Sequence, residues 1–155
     1  MTREEEQPTL HSRRSLTLRF DIPISRTREF WDALGKGRFV TTRCSACGKE
    51  SFPPQADCPR CMSDRFEWVD LEGEARLVTY TYVQVTPASF VNDDPYTIAI
   101  GEFANGIKVL AWLEGVTLER AKVGMKLTVE ARRSTEGNPY YVFVPSLPRT
   151  PSGPL

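Results

Sequence analysis

The chain has 155 residues, equal numbers of acidic and basic side chains (20 each), one histidine and four cysteines. That length holds one domain or two small modules, and a formal net charge of zero argues against a nucleic-acid binder that works by neutralising phosphates with clustered cations. The acidic start Met1-Thr-Arg-Glu-Glu-Glu6 has no apolar core of a secretory signal, and no apolar run approaches the roughly 18 residues of a membrane span. The expectation is a soluble, cytoplasmic protein with no membrane partner.

Residues 1–24 mix charge with Pro8 and Pro23 and a short apolar alternation at Leu16, Leu18 and Phe20. They read as an arm, either a free terminus or a strap on a partner, and the lone His11 lies in it. Residues 26–35 predict a short helix. Ser25 or Thr27 can cap it, Glu29 and Asp32 suit its positive end, Gly35 can stop it, and Phe30, Trp31 and Leu34 share one apolar face. A helix this short needs a surface to pack on. A strand over 39–43 follows.

Cys44-Ser-Ala-Cys47 and Cys58-Pro-Arg-Cys61 come next, ten residues apart. Each Cys-x-x-Cys is a tight turn aiming two sulfurs at one cation. Two such turns build the tetrahedral four-thiolate cage that zinc favours, closed to water and substrate and therefore structural. Gly48 can take the positive φ with which the first turn exits, whereas Met62 stands after the second turn, where glycine would be easier. Iron in the same cage, a redox dithiol pair and a disulfide framework are the alternatives. Between the turns, Phe52-Pro53-Pro54-Gln55 is a stiff loop whose phenylalanine packs under the metal site or faces outward.

The remainder reads as β-structure. Strands are expected over 66–69, 74–86, 96–103, 107–113, 126–133 and 140–144. Asn105-Gly106 marks a hairpin, residues 118–121 one helical turn, and Glu136-Gly-Asn-Pro139 a turn. The long strand 74–86 would present Ala75, Leu77, Thr79, Thr81, Val83 and Val85 on one face. Five strands in this arrangement fit a small closed barrel of the OB type. The fold class expected is mainly β: an N-terminal helix and rubredoxin-like zinc ribbon (25–72), then a five-stranded OB-fold barrel (73–145). The arm (1–24) and a tail (146–155) with proline every third residue from Pro145 flank it. Tyr80, Tyr82, Leu110, Trp112 and Phe143 supply more apolar bulk than the barrel interior can take, so some lie outside it. No nucleophile elbow, P-loop or dinucleotide fingerprint occurs, and Asp93-Asp94 before Pro95 reads as a turn.

The ordered set Phe30-Trp31, Gly37-Arg38-Phe39, Cys44-x-x-Cys47-Gly48, Phe52-Pro53-Pro54, Cys58-Pro-x-Cys61, Trp68 and Gly73-Glu-Ala75, followed by the barrel pattern, resembles the zinc-ribbon/OB-fold family associated with acyl-CoA enzymes. The likeness spans roughly residues 28–146. Two positions depart from that family's pattern: Gln55 where arginine is frequent, and Met62 where glycine is frequent. The resemblance implies a non-catalytic, zinc-containing partner of a thiolase-superfamily enzyme. Similar proteins bridge acetoacetyl-CoA thiolase and hydroxymethylglutaryl-CoA synthase or partner a thiolase-like aldolase of steroid side-chain breakdown. It implies acyl-CoA or partner contact at Phe30, Trp31, Phe52, Pro53, Pro54 and Gln55, and it is compatible with a homo-oligomer. A single-stranded nucleic-acid-binding ribbon/OB module is the alternative function, favoured by aromatic strands and disfavoured by the neutral charge. An independent enzyme or electron carrier is a third.

Overall fold

The computed structural model describes residues 23–84 and 94–146. Residues 1–22 of the arm with His11, Val85, Asp93 and the Pro-rich tail beyond Ser146 lie outside the described residues. One short helix, α1 (Arg28–Leu34), precedes a three-stranded antiparallel sheet of β1 (Val40–Cys44), β2 (Glu50–Ser51) and β3 (Phe66–Asp70), in the order β2-β1-β3. A closed barrel follows, made of β4 (Ala75–Val83), β5 (Tyr96–Glu102), β6 (Lys108–Leu113), β7 (Lys126–Arg133) and β8 (Pro139–Pro145). Its strand order is β4-β5-β6-β8-β7, with β6 and β8 parallel and every other pair antiparallel. The expected architecture is therefore present: a mainly β chain with one helix, a ribbon and a five-stranded OB-like barrel.

The helix starts and stops differently from expectation. Thr27 occupies the N-cap, but its side chain makes no capping hydrogen bond, and Gly35 keeps helical angles (φ −61°). The stop lies two residues later. Gly37 takes φ +78°, its N–H donates to the Leu34 carbonyl, and the Arg38 N–H donates to the Ala33 carbonyl. That pair of bonds is the Schellman closure, which glycine serves by accepting left-handed angles. Phe30, Ala33 and Leu34 point inward.

The barrel core holds Leu77, Val109, Leu127 and Phe143, all with no exposure. Gly101 is part of how they fit: a Cβ there would lie 2.6 Å from the Phe143 ring, so the ring occupies the space a side chain would need. The single-face reading of β4 fails beyond Leu77. The pairing of β4 with β5 runs Leu77↔Gly101 and then Thr79↔Ile100, so Val78 is an extra residue. A bulge of this kind shifts the alternation by one. Ala75 and Leu77 face the core, but Thr79 and Thr81 are exposed and Tyr80 turns inward, where its hydroxyl donates to the Ala121 carbonyl at 2.9 Å. Ala121 closes the expected helical turn, its N–H donating to the Thr117 carbonyl.

Helix, ribbon and barrel meet in an aromatic cluster. Phe30 (4% exposed) has edge-on contacts with Trp31, Phe39, Phe52 and Tyr141, at centroid distances of 5.0, 6.0, 5.9 and 6.2 Å. Such pairs add about 0.5–1.5 kcal/mol each beyond area burial. They supply the surface that a seven-residue helix cannot do without.

Candidate functional site

The two cysteine turns are built alike. The Cys44 N–H donates to the Lys49 carbonyl and the Gly48 N–H returns to the Cys44 carbonyl. At the second turn the Cys58 N–H donates to the Ser63 carbonyl and the Met62 N–H returns to the Cys58 carbonyl. Gly48 (φ +70°) and Met62 (φ +59°) thus occupy the same place in the two turns. Met62 is the one non-glycine with positive φ among the described residues, which is the cost expected from its place in the sequence.

The loops bring the four sulfurs together, all within 4.8 Å of one another, with Cys44–Cys61 and Cys47–Cys58 at 3.6 Å. Four thiolates around zinc at about 2.3 Å would stand about 3.8 Å apart, so the cluster has the size and donor set of a tetrahedral thiolate cage. All four are free of disulfides. Burial alone would raise the Cys58 thiol, but the N–H groups of Arg60 and Cys61 and the neighbouring Cys47 sulfur outweigh it and bring the group down to about 6. Cys44 is lowered for the same reason: its burial is overcome by the N–H groups of Cys47 and Ala46. At Cys61 the N–H of Ser63 pulls downward, yet the Cys44 sulfur and burial prevail and push it up to about 12. Turn N–H groups thus pre-pay part of the deprotonation a metal requires at Cys44 and Cys58.

The second set of predicted residues divides in two. Phe30 and Phe52 lie within the aromatic cluster, so they hold the ribbon to the barrel. Pro53 and Gln55 are exposed, and Trp31 and Pro54 are half-exposed. The Phe52–Pro53 peptide is cis. Gln55 is held on both sides: its N–H donates to Thr42 Oγ1 at 3.0 Å and its Nε2 donates to the Pro53 carbonyl at 3.0 Å.

Beside Gln55 lies a groove that the sequence did not reveal. A cavity of about 730 Å³ separates the first cysteine turn from the β5–β6 hairpin, with Lys49 on the ribbon side, Lys108 on the barrel side, and Phe52 and Gln55 between. Asn105 Nδ2 spans its edge, donating to Glu50 Oε2 at 2.6 Å, and Arg43 donates to Oε1 of the same carboxylate. The only signal available in the sequence was Asn105-Gly106, which reads as a turn and conceals the second use of the asparagine.

Comparison with known proteins agrees with this construction. Residues 31–67 match the family model described as the ChsH2 rubredoxin-like zinc ribbon domain, and residues 68–132 match the ChsH2 C-terminal OB-fold domain. A DUF35 domain-containing scaffold protein of Methanocaldococcus jannaschii is 33% identical over 98 residues, covering 63% of this chain and 70% of that protein. The chain belongs to the DUF35 scaffold family. Another relative, a probable enoyl-CoA hydratase alpha subunit of Thermomonospora curvata, is 28% identical over 131 residues; the match takes in 83% of this chain but only 40% of that protein. Among solved structures, the Ltp2-ChsH2(DUF35) aldolase superposes with a TM-score of 0.72 at 24% identity, over 83% of this chain and all of the matched one, which shows a shared fold.

Proposed function

We propose that this DUF35 protein is a non-catalytic accessory scaffold that binds a thiolase-superfamily enzyme and helps to hold or pass on its acyl-CoA. The observation that carries the reading is the groove between ribbon and barrel, which a closed four-sulfur cluster builds but does not enter. Lys49 and Lys108 both line it, suited to the phosphates of a coenzyme A moiety, and Phe52 and Gln55 line it beside them for the less polar arm; Glu50, which also lines it, is paired with Arg43, and Lys108 stands 3.9 Å from Glu102. The names of the relatives support the same reading: a scaffold protein and a probable enoyl-CoA hydratase alpha subunit.

In this reading residues 25–72 form the ribbon module and 73–145 the barrel module, and a zinc ion held by Cys44, Cys47, Cys58 and Cys61 is structural. Zinc there would neutralise the sulfurs and lock the turns, leaving no open coordination position for catalysis. Four reduced thiolates also suit a cytoplasmic setting.

The test has two arms. Metal analysis of the purified protein should give one zinc per chain and a colourless solution; a red, iron-containing protein would remove the structural-zinc assignment. Calorimetric titration of acetoacetyl-CoA into the protein with its enzyme partner should then lose affinity on Lys49→Glu and Lys108→Glu. Unaltered acyl-CoA binding in both variants would take the ligand out of this groove.

A further inference from the structure

The barrel carries a second surface, unlike the groove in character. Alternation along β6 puts Val109, Ala111 and Leu113 inside and leaves Leu110 (58% exposed) and Trp112 (38%) outside. Across the β5–β6 pairing, Ile98 stands opposite Trp112 and Ile100 opposite Leu110. Tyr96 stacks on Trp112 at 5.1 Å, and Tyr140 of β8 meets the indole edge-on at 6.4 Å. Two adjoining cavities share Trp112, one of about 620 Å³ running to Tyr140 and one of about 740 Å³ running to Tyr82 and Leu118. The patch is therefore continuous, and Tyr82 and Leu118 are themselves 42% and 45% exposed.

Its border is acidic. Asp94, Glu114 and Glu119 line one cavity and Glu136 the other, and neither is lined by a lysine or arginine. Glu114 is answered by Arg132, which also pairs with Glu130. Among the described residues, Asp94, Glu119 and Glu136 have no ion pair to draw off their charge.

We infer that this Leu110–Trp112 face is a protein-docking surface whose partner presents apolar side chains rimmed by lysine and arginine. Charge decides among the occupants. A nucleic acid or a coenzyme A would bring phosphates against three uncompensated carboxylates, although exposed aromatics on a barrel would otherwise invite base stacking. A second copy meeting this face with its own would set the same acidic rim against itself. A basic rim around an apolar centre satisfies both features, with the aromatics as anchors and the carboxylates steering approach. The inference deepens the accessory reading and rests on it for the existence of a protein partner. It also separates the two surfaces: anionic ligand on the lysine groove, cationic protein rim on the acidic face.

The experiment uses the full chain and two probes. Two amphipathic helical peptides, one of leucine and lysine and one of leucine and glutamate, are titrated while backbone amide shifts are followed. The leucine–lysine peptide should shift Ile98, Leu110, Trp112 and Tyr140, the leucine–glutamate peptide should not, and raising the salt should weaken the effect. In parallel the thiolase-superfamily enzyme is assayed for binding to wild type, to Leu110→Glu with Trp112→Ala, to Glu119→Lys with Glu136→Lys, and to Val123→Glu, an exposed position outside the patch. Both double variants should weaken the complex by about tenfold or more without losing thermal stability, and Val123→Glu should not. If wild type binds the enzyme and the double variants bind it equally well, the face is wrong and the accessory role stands. If wild type binds no such enzyme while the leucine–lysine peptide still marks the patch, the accessory role fails and the docking chemistry stands. Equal binding of both peptides, displacement by an oligonucleotide at these residues, or tighter peptide binding after removal of residues 147–155 would overturn the inference.

Discussion

Two backbone positions set the tolerances of this fold one residue at a time. Met62 adopts φ +59° at the place where Gly48 adopts +70° in the matching turn, and its side chain is 79% exposed. Left-handed angles cost a residue with a Cβ about 1–2 kcal/mol, and an exposed side chain recovers little of that by packing. Met62→Gly should therefore raise the midpoint of thermal unfolding, by the equivalent of up to about 1 kcal/mol after the extra chain entropy of glycine is deducted. A lower midpoint would mean that Met62 packs more than its exposure implies. Gly101 is the opposite case. A methyl group there would meet the Phe143 ring at 2.6 Å and Ala75 Cβ at 3.0 Å, and Phe143 is fully buried. Gly101→Ala should destabilise by about 1–3 kcal/mol through overpacking, readable as a lower denaturation midpoint with the denaturant slope unchanged.

Between elements, the aromatic cluster is what couples ribbon to barrel. Phe52 contacts Phe30, Phe39 and Tyr141 at 5.9, 5.1 and 5.8 Å. Its truncation to alanine should cost about 2–3 kcal/mol, below the roughly 3–5 of a fully buried phenylalanine because it is only half-buried. A metal held by the four cysteines would act on the ribbon, where all four lie. Chelation under reducing conditions should abolish amide-exchange protection in Val40–Cys44 and Phe66–Asp70 before it touches Val109 or Leu127; simultaneous loss in both would show that the barrel depends on the metal. Lower pH should have the same effect as chelator, since protons compete for the four thiolates. The cysteine spacing, the Asn105-Gly106 hairpin and the clean alternation of 126–133 make ribbon and barrel legible in the sequence, because each is a local rule obeyed locally. What stayed hidden was set by pairing across the fold. The Val78 bulge reverses the faces of β4 only because Gly101 and Ile100 stand where they do on β5. The two-residue β2 exists only through its partner β1. Gly37 ends α1 in place of Gly35, and two nearby glycines in one sequence do not say which will turn left-handed.

For the whole molecule, zero net charge conceals an uneven distribution. Lys49 and Lys108 flank the groove between ribbon and barrel, where the one carboxylate, Glu50, is paired with Arg43, and carboxylates rim the aromatic face of the barrel. Exposure of Leu110 and Trp112 was foreseeable from the surplus of apolar residues, but which residues would be left outside depended on register. A scaffold that is to hold a small anionic ligand and a protein at once needs two such surfaces, and a structural metal site suits it by holding one of them in shape. On the function proposed above, this protein works through an enzyme partner and performs no chemistry of its own. Sedimentation velocity of the zinc-loaded protein with a thiolase-superfamily enzyme, with acyl-CoA turnover followed on the same samples, tests it most directly. The expected result is a stable complex, no turnover by the protein alone, and altered turnover or acyl-CoA affinity of the enzyme in the complex. Separate boundaries for the two proteins with unchanged enzyme kinetics, or acyl-CoA turnover by this chain alone, would contradict it.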